Sequence, residues 1–322
     1  MEGVKTLRRP RLRKPYLIVA WPGMGEVAFK AASYLVEKLN AEEFASLRAE
    51  DFFYLAGSVV KNGLLSPSDL PESKFYFWKN KEGKNDLIIF LSNAQPDLAR
   101  AEAYSQIIIQ VAKSFKVDKV VSFASMPQGI DHTHDPAIWF AATSEAVSNN
   151  LKKFNIKSLR EGQISGMNGL FLGIAKREGL DGFCLLGEIP LYTIQIENPK
   201  ASSAVLEILA TITGIKIDLS GLSAQAHAME DEINKLLDYL KLGPAASGPI
   251  SEDDIEKIKK TLNQLTKLPV SVKERIEQFF TQAKNDISKA RELKVELDKW
   301  NVYKEYEDRF LDLFKKTGEK NN

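Results

Sequence analysis

Apolar residues run without polar interruption over 16–21 (YLIVAW), which predicts a β-strand buried on both faces. Pro22, Gly23, Met24 and Gly25 break the run. Residues 26–39 then bring Val27, Ala31, Tyr34, Leu35 and Leu39 round at helical spacing. Two more apolar runs, 75–78 and 87–91, flank a polar stretch containing Gly83 and predict a β-hairpin. Further on, the pattern predicts a helix over 99–115 with Ile107, Ile108 and Val111 inward. Strands are predicted over 117–124 and 137–142, a helix over 168–177, a strand over 183–186 and a helix over 202–213. Strands alternating with helices predict a three-layer α/β/α sandwich, and the hairpin makes its sheet mixed.

The pattern changes at 243–249 (GPAASGP), a cluster that marks a linker. Beyond it every apolar interval is helical. Ser251 stands before Glu252, Asp253 and Asp254, the composition of a capped helix start. Ile255, Ile258, Leu262 and Leu265 follow at three to four residues, and Pro269 interrupts. The stripe resumes with Val272, Ile276, Phe279 and Phe280, then Leu293, Leu297, Trp300, Tyr303, Phe310 and Phe314. A C-terminal all-α hairpin or small bundle is expected, its aromatic stripe serving as core. The expected organisation is a basic flexible leader (1–14), an α/β core domain (15–242), a linker (243–250) and a helical extension (251–322).

Composition narrows the classes of function. With 322 residues the chain exceeds what one compact core usually holds. Lys and Arg number 44 against 43 Asp and Glu, a net charge of +1, so no nucleic-acid footprint covers the surface. No run approaches the roughly 18 apolar residues of a membrane span. The basic start lacks the apolar centre of a secretory signal. The single Cys184 excludes an internal disulfide and a multi-thiolate metal site. The expectation is a soluble cytoplasmic protein without nucleic-acid or membrane partners.

Three segments hold candidate chemistry. Gly23, Met24, Gly25, Glu26, Val27 and Ala28 fit G-x-G-x-x-[GA] after a strand and opening a helix. No acid ends a second strand as that fingerprint requires, because Glu42 and Glu43 precede the next apolar stretch, and Pro22 removes an N–H. A structural turn or partner-binding loop is the favoured reading. Asp131, His132, Thr133, His134 and Asp135 cluster the metal-binding residue types. They lie between Gly129 and Pro136 and read as a solvated loop, with His227 on a late helix, so no metal is assigned. Residues 162–173 hold four glycines and Asn168 at a helix start, suited either to binding a carboxylate or to close helix–sheet packing. There is no G-x-S-x-G elbow and no G-x-x-x-x-G-K-[ST] loop. Cys184 sits in an apolar run as a core thiol, and no catalytic set emerges.

Taken together, several segments resemble the proteasome assembly chaperone 2 family in its archaeal and bacterial branch. They are WPGMG at 21–25, AQP at 94–96, Met126 and Pro127, GQISGMNGLFL at 162–172, LLGEIP at 185–190 and NPKA at 198–201. The resemblance covers about residues 15 to 240. It implies a phosphorylase- or hydrolase-like α/β/α fold, homo-oligomers, and in some relatives assistance to proteasome assembly. The end of this sequence, Lys320, Asn321 and Asn322, departs from the hydrophobic-Tyr-any tail of proteasome-docking relatives. The expected function is a non-catalytic, homo-oligomeric binding and assembly factor, its partners itself and proteasome subunits, with no cofactor. Candidate binding positions are Gly23, Met24, Gly25, Glu26, Gln95, Pro96, Met126, Pro127, Gly166, Asn168, Gly169 and Glu188, placed where open α/β sheets put their crevice. The alternative is a carboxylate–amine ligase or hydrolase using Asn93, Gln95, Tyr104, Asn168 and Glu188, with Arg100 the nearest base for phosphate.

Overall fold

The computed structural model describes residues 3–54, 57–83, 85–242, 270–299 and 302–318. The chain divides into two compact units, Met1–Leu265 and Thr266–Asn322. The predicted linker 243–250 and the stripe from Ile255 to Leu265 lie outside the described residues.

The first unit is built on β1 (Val4–Thr6), β2 (Tyr16–Ala20), β3 (Glu42–Leu47), a separate hairpin of β4 (Ser58–Lys61) and β5 (Leu64–Pro67), then β6 (Ser73–Trp78), β7 (Leu87–Ser92), β8 (Lys119–Gln128), β9 (Ile138–Ala142), β10 (Lys157–Ser158) and β11 (Gly182–Pro190). Nine of these form one mixed sheet in the order β1-β3-β6-β7-β2-β8-β11-β9-β10. Strands β7, β2, β8 and β11 are mutually parallel at its centre. The predicted hairpin is present as the antiparallel pair β6–β7, in register from Ser73 against Ser92 to Trp78 against Leu87.

Alternate residues of the central strands enter two cores. Leu17, Val19 and Trp21, with Ile88 and Phe90, face helices α2 (Ala101–Ser114) and α4 (Met167–Arg177). Ile18 and Ala20, with Leu87 and Ile89, face α1 (Val27–Lys38), α3 (Glu145–Leu151), α5 (Pro199–Thr213) and the start of α6 (Ser220–Leu242). Burial on both faces explains the unbroken apolar runs. This is the α/β/α arrangement expected, and its layers account for the helical spacing of the segments between strands.

Residues 3–14 depart from the expected flexible leader. β1 pairs antiparallel with β3, Thr6 opposite Ala45. Arg8 forms an ion pair with Glu42 and lies 4.9 Å above the Phe77 ring, and the Arg13 amide donates to Asp86 Oδ2 at 2.6 Å. Main-chain pairing to an edge strand needs no apolar side chains, so hydrophobic pattern is blind to it.

In the second unit, α7 (Val270–Asn285), α8 (Ala290–Lys299) and α9 (Tyr303–Gly318) enclose a core of Ile276, Phe280, Ala283, Leu293, Leu297 and Phe310. Arg309 stacks 4.2 Å above Phe280 while its guanidinium pairs with Glu277, holding that carboxyl below its usual range. Among the described helices none is long and apolar enough to cross a membrane.

Candidate functional site

Because β7, β2, β8 and β11 run parallel, the loops that follow them gather on one sheet edge. Trp21 closes β2 there, fully buried among Phe90, Phe171 and Tyr104 at ring separations of 5.5, 5.6 and 6.3 Å. Its backbone is held from both sides by one amide: Trp21 N–H donates to Asn168 Oδ1 and Asn168 Nδ2 donates to Trp21 O, each at 3.0 Å. Gln95 bridges the next residue to α4. Its Nε2 donates to Pro22 O at 2.8 Å, and its Oε1 accepts from Met167 N at 3.2 Å. The first turn of α4, the loop after β7 and the turn after β2 are thereby fastened together. Gly166 has φ +72°, and a Cβ there would stand 2.9 Å from Gln95 Nε2, so the position demands glycine.

Asn168, Gln95 and Glu188 were expected to face a ligand; the structure turns all three inward. Glu188 accepts from Trp139 Nε1 at 2.7 Å through Oε1 and from the Ala137 amide at 3.2 Å through Oε2, tying β11 to β9. Tyr104 is fully buried and bonded to Ser73 Oγ at 2.7 Å, and Asn93 Oδ1 accepts from Glu72 N. Buried polar groups cost free energy unless they find partners, and on this edge they find them within the protein, in loop backbone and in neighbouring side chains. Met126 and Pro127 also differ from expectation. They lie within β8, opposite Glu188 and Ile189 of β11, rather than in a loop after it. Proline is tolerated there because β2 pairs with β8 only as far as Ser122.

The G-x-G segment forms a tight turn. Gly25 has φ +62°; its N–H donates to Ile194 O at 2.8 Å and its carbonyl accepts from Asn198 N at 2.7 Å. Glu26 N–H donates to Gly23 O at 3.0 Å. Two of the amides that such a motif would turn to a pyrophosphate, those of Gly25 and Glu26, are thus bonded within the protein. Glu26 itself adopts φ +49°. Burial first, and the charge of Glu197 second, push its carboxyl up to about 7. Lys30 holds Glu197 at 3.0 Å.

The His-x-His loop is not wholly solvated. His132 is buried, with Nδ1 2.9 Å from Tyr192 Oη and Nε2 2.8 Å from Asn234 Oδ1 on α6. Lys200 bonds Thr133 O at 2.8 Å and Glu230 at 2.6 Å, stapling the loop to α5 and α6. Partners from elements distant in sequence, Tyr192 and Asn234, are what bury this histidine. Among the described residues no group of His, Cys, Asp and Glu could hold a metal.

Among the exposed residues of this edge, beside the polar Asn93, Arg100, Asp131 and Asp135, stand three large apolar side chains. Leu98 after β7 is 47% exposed, and Leu191 and Tyr192 after β11 are 57% and 44% exposed. Met24, in the turn after β2, is half-buried. Sequence reading missed Leu98, Leu191 and Tyr192; the available signal was large apolar residues directly beyond the end of a strand.

Comparison with known proteins agrees with this architecture. The curated relatives include the uncharacterized protein MJ1210 of Methanocaldococcus jannaschii, 29% identical over 252 residues, 77% of this chain and 93% of that protein. Among solved structures, PbaB of Pyrococcus furiosus, described as an archaeal proteasome activator, is 26% identical with a TM-score of 0.62 over 72% of this chain and 97% of its own. PbaA of the same organism, described as an archaeal homolog of proteasome-assembly chaperone, shares the fold at a TM-score of 0.59 and 23% identity, over 81% of this chain and 99% of its own. The sequence model of the PAC2 family matches residues 17–237, the whole sheet from β2 onward with its flanking helices, and the chain belongs to that family.

Proposed function

We propose that this protein is a non-catalytic binding factor that acts on proteasome subunits, as an assembly chaperone or activator, and works as a homo-oligomer. One observation carries the reading: along the edge where parallel strands end, Gln95, Asn168 and Glu188 are spent on internal hydrogen bonds, whereas Leu98, Leu191 and the ring of Tyr192, whose hydroxyl holds His132, are about half exposed. A catalytic edge keeps polar groups free for substrate; a docking edge exposes apolar and aromatic anchors. The kinship to a family with proteasome-linked members supplies the class of partner. Gly23, Met24, Gly25, Glu26, Pro96, Met126 and Pro127 shape this face, while Gln95, Gly166, Asn168, Gly169 and Glu188 hold it rigid.

The test mixes the purified protein with purified proteasome α and β subunits from the same organism and follows complex formation by size-exclusion chromatography with light scattering. Complex formation is expected, with a loss of at least about tenfold in affinity for Leu191→Asp, Tyr192→Asp, since hot-spot residues carry about 2 kcal/mol or more each. No complex with any subunit at tens of micromolar, or undiminished binding by the folded double variant, would overturn the proposal.

A further inference from the structure

A second feature lies beside α4, away from that edge. Gly169 and Gly173 stand one turn apart on this helix, and the structure treats them oppositely. A Cβ on Gly169 would overlap the Ile164 carbonyl, so that glycine draws the segment 159–164 tight against the helix. Gly173 has nothing within 4 Å of its Cβ position. A glycine inside a helix costs about 1 kcal/mol relative to alanine, and no neighbour requires one at 173. The space opposite it is a groove of about 340 Å³, within the range of small-molecule sites.

Leu159, Ile164, Leu172, Ala141 and Cys184 line the groove together with Thr143, and burial pushes the Cys184 thiol up to about 12 and keeps it neutral. Arg160 and Lys176 stand on its rim, and among the described residues neither is paired with a carboxylate. Glu161 shares the rim, leaving one net positive charge.

We propose that this groove binds a small amphipathic carboxylate, its aliphatic chain of about six to eight carbons over Leu159, Ile164 and Leu172 and its head group between Arg160 and Lys176. The apolar side chains suit an aliphatic chain, and the cationic rim selects an acid over an alcohol of the same length. This site does not depend on the docking edge.

Octanoate is titrated into the 322-residue protein by calorimetry, with octanol as the uncharged control. Saturable one-site binding of octanoate is expected, with octanol at least about tenfold weaker, as a charge-assisted hydrogen bond warrants. The double variant Arg160→Gln, Lys176→Gln should reduce octanoate to the level of octanol. Gly173→Leu, whose Cβ meets no atom within 4 Å, should fill the groove and abolish binding without lowering the thermal midpoint. Equal affinity for acid and alcohol, unchanged binding by the folded Gly173→Leu protein, or no saturable binding below about 10 mM would each overturn the assignment.

Discussion

Asn168 shows how one side chain can organise an edge without touching a ligand. Both polar atoms of its amide are spent on the backbone of Trp21, and both partners are buried. Asn168→Leu strands a donor and an acceptor in the core, so a loss of about 2–4 kcal/mol is expected in chemical denaturation. Glu26 makes a different prediction. Its carboxyl titrates near 7 in the folded chain and at the ordinary carboxylate value when unfolded. The folded state therefore binds the proton more tightly, and stability present below about pH 4.5 is lost as pH rises through 7. Glu26→Gln should remove that slope. Wild type and variant are compared by thermal midpoint from pH 5 to pH 8, and the wild type is expected to fall relative to the variant. A parallel pair of curves would show that Glu26 is solvated as the carboxylate.

Helix α4 carries the argument for elements. Its apolar face buries Phe171, Leu172, Ile174 and Ala175 against the sheet, and Lys176 and Arg177 complement the dipole in its last turn. Its two glycines predict opposite signs for one substitution. Gly173→Ala should stabilise by about 1 kcal/mol through helix propensity alone. Gly169→Ala must push the Ile164 backbone away and should destabilise, by about 1–3 kcal/mol for an overpacked contact. Guanidinium titrations of the two single variants check both, and equal effects would mean that segment 159–164 does not rest on this helix. The elements legible in sequence were those with strong periodicity or apolar runs: α1, α2, α4, α5, the four buried parallel strands, β6 of the hairpin and β9. β1 and β10, the short edge strands, escaped because they are held by main-chain pairing and a neighbour's register, not by their own side chains. β8 and β11 run four residues beyond their predicted ends for the same reason: each is paired to the other.

For the molecule as a whole, two units with separate hydrophobic cores imply separable unfolding. Phe280→Ala empties the centre of the helical core at a cost of about 3–5 kcal/mol. In calorimetry it should lower the transition of that unit and leave the α/β transition in place. One transition shifted as a block would show the two cores to be coupled.

Length, charge, the single cysteine and the alternation of strand and helix signals already pointed to an α/β/α sandwich and a helical extension, because burial on both faces of a sheet writes itself into runs of apolar residues. The family was legible as well, in loops whose glycines and prolines are local backbone requirements. The roles of the polar residues in those loops were not. Asn168 and Trp21 are 147 positions apart, as are His132 and Asn234 by 102. A side chain that looks like a ligand-binding group in sequence becomes a clamp only when folding brings a buried backbone group within hydrogen-bonding distance. Only the folded chain settles which polar groups are satisfied internally, and therefore which surface is left to meet another molecule.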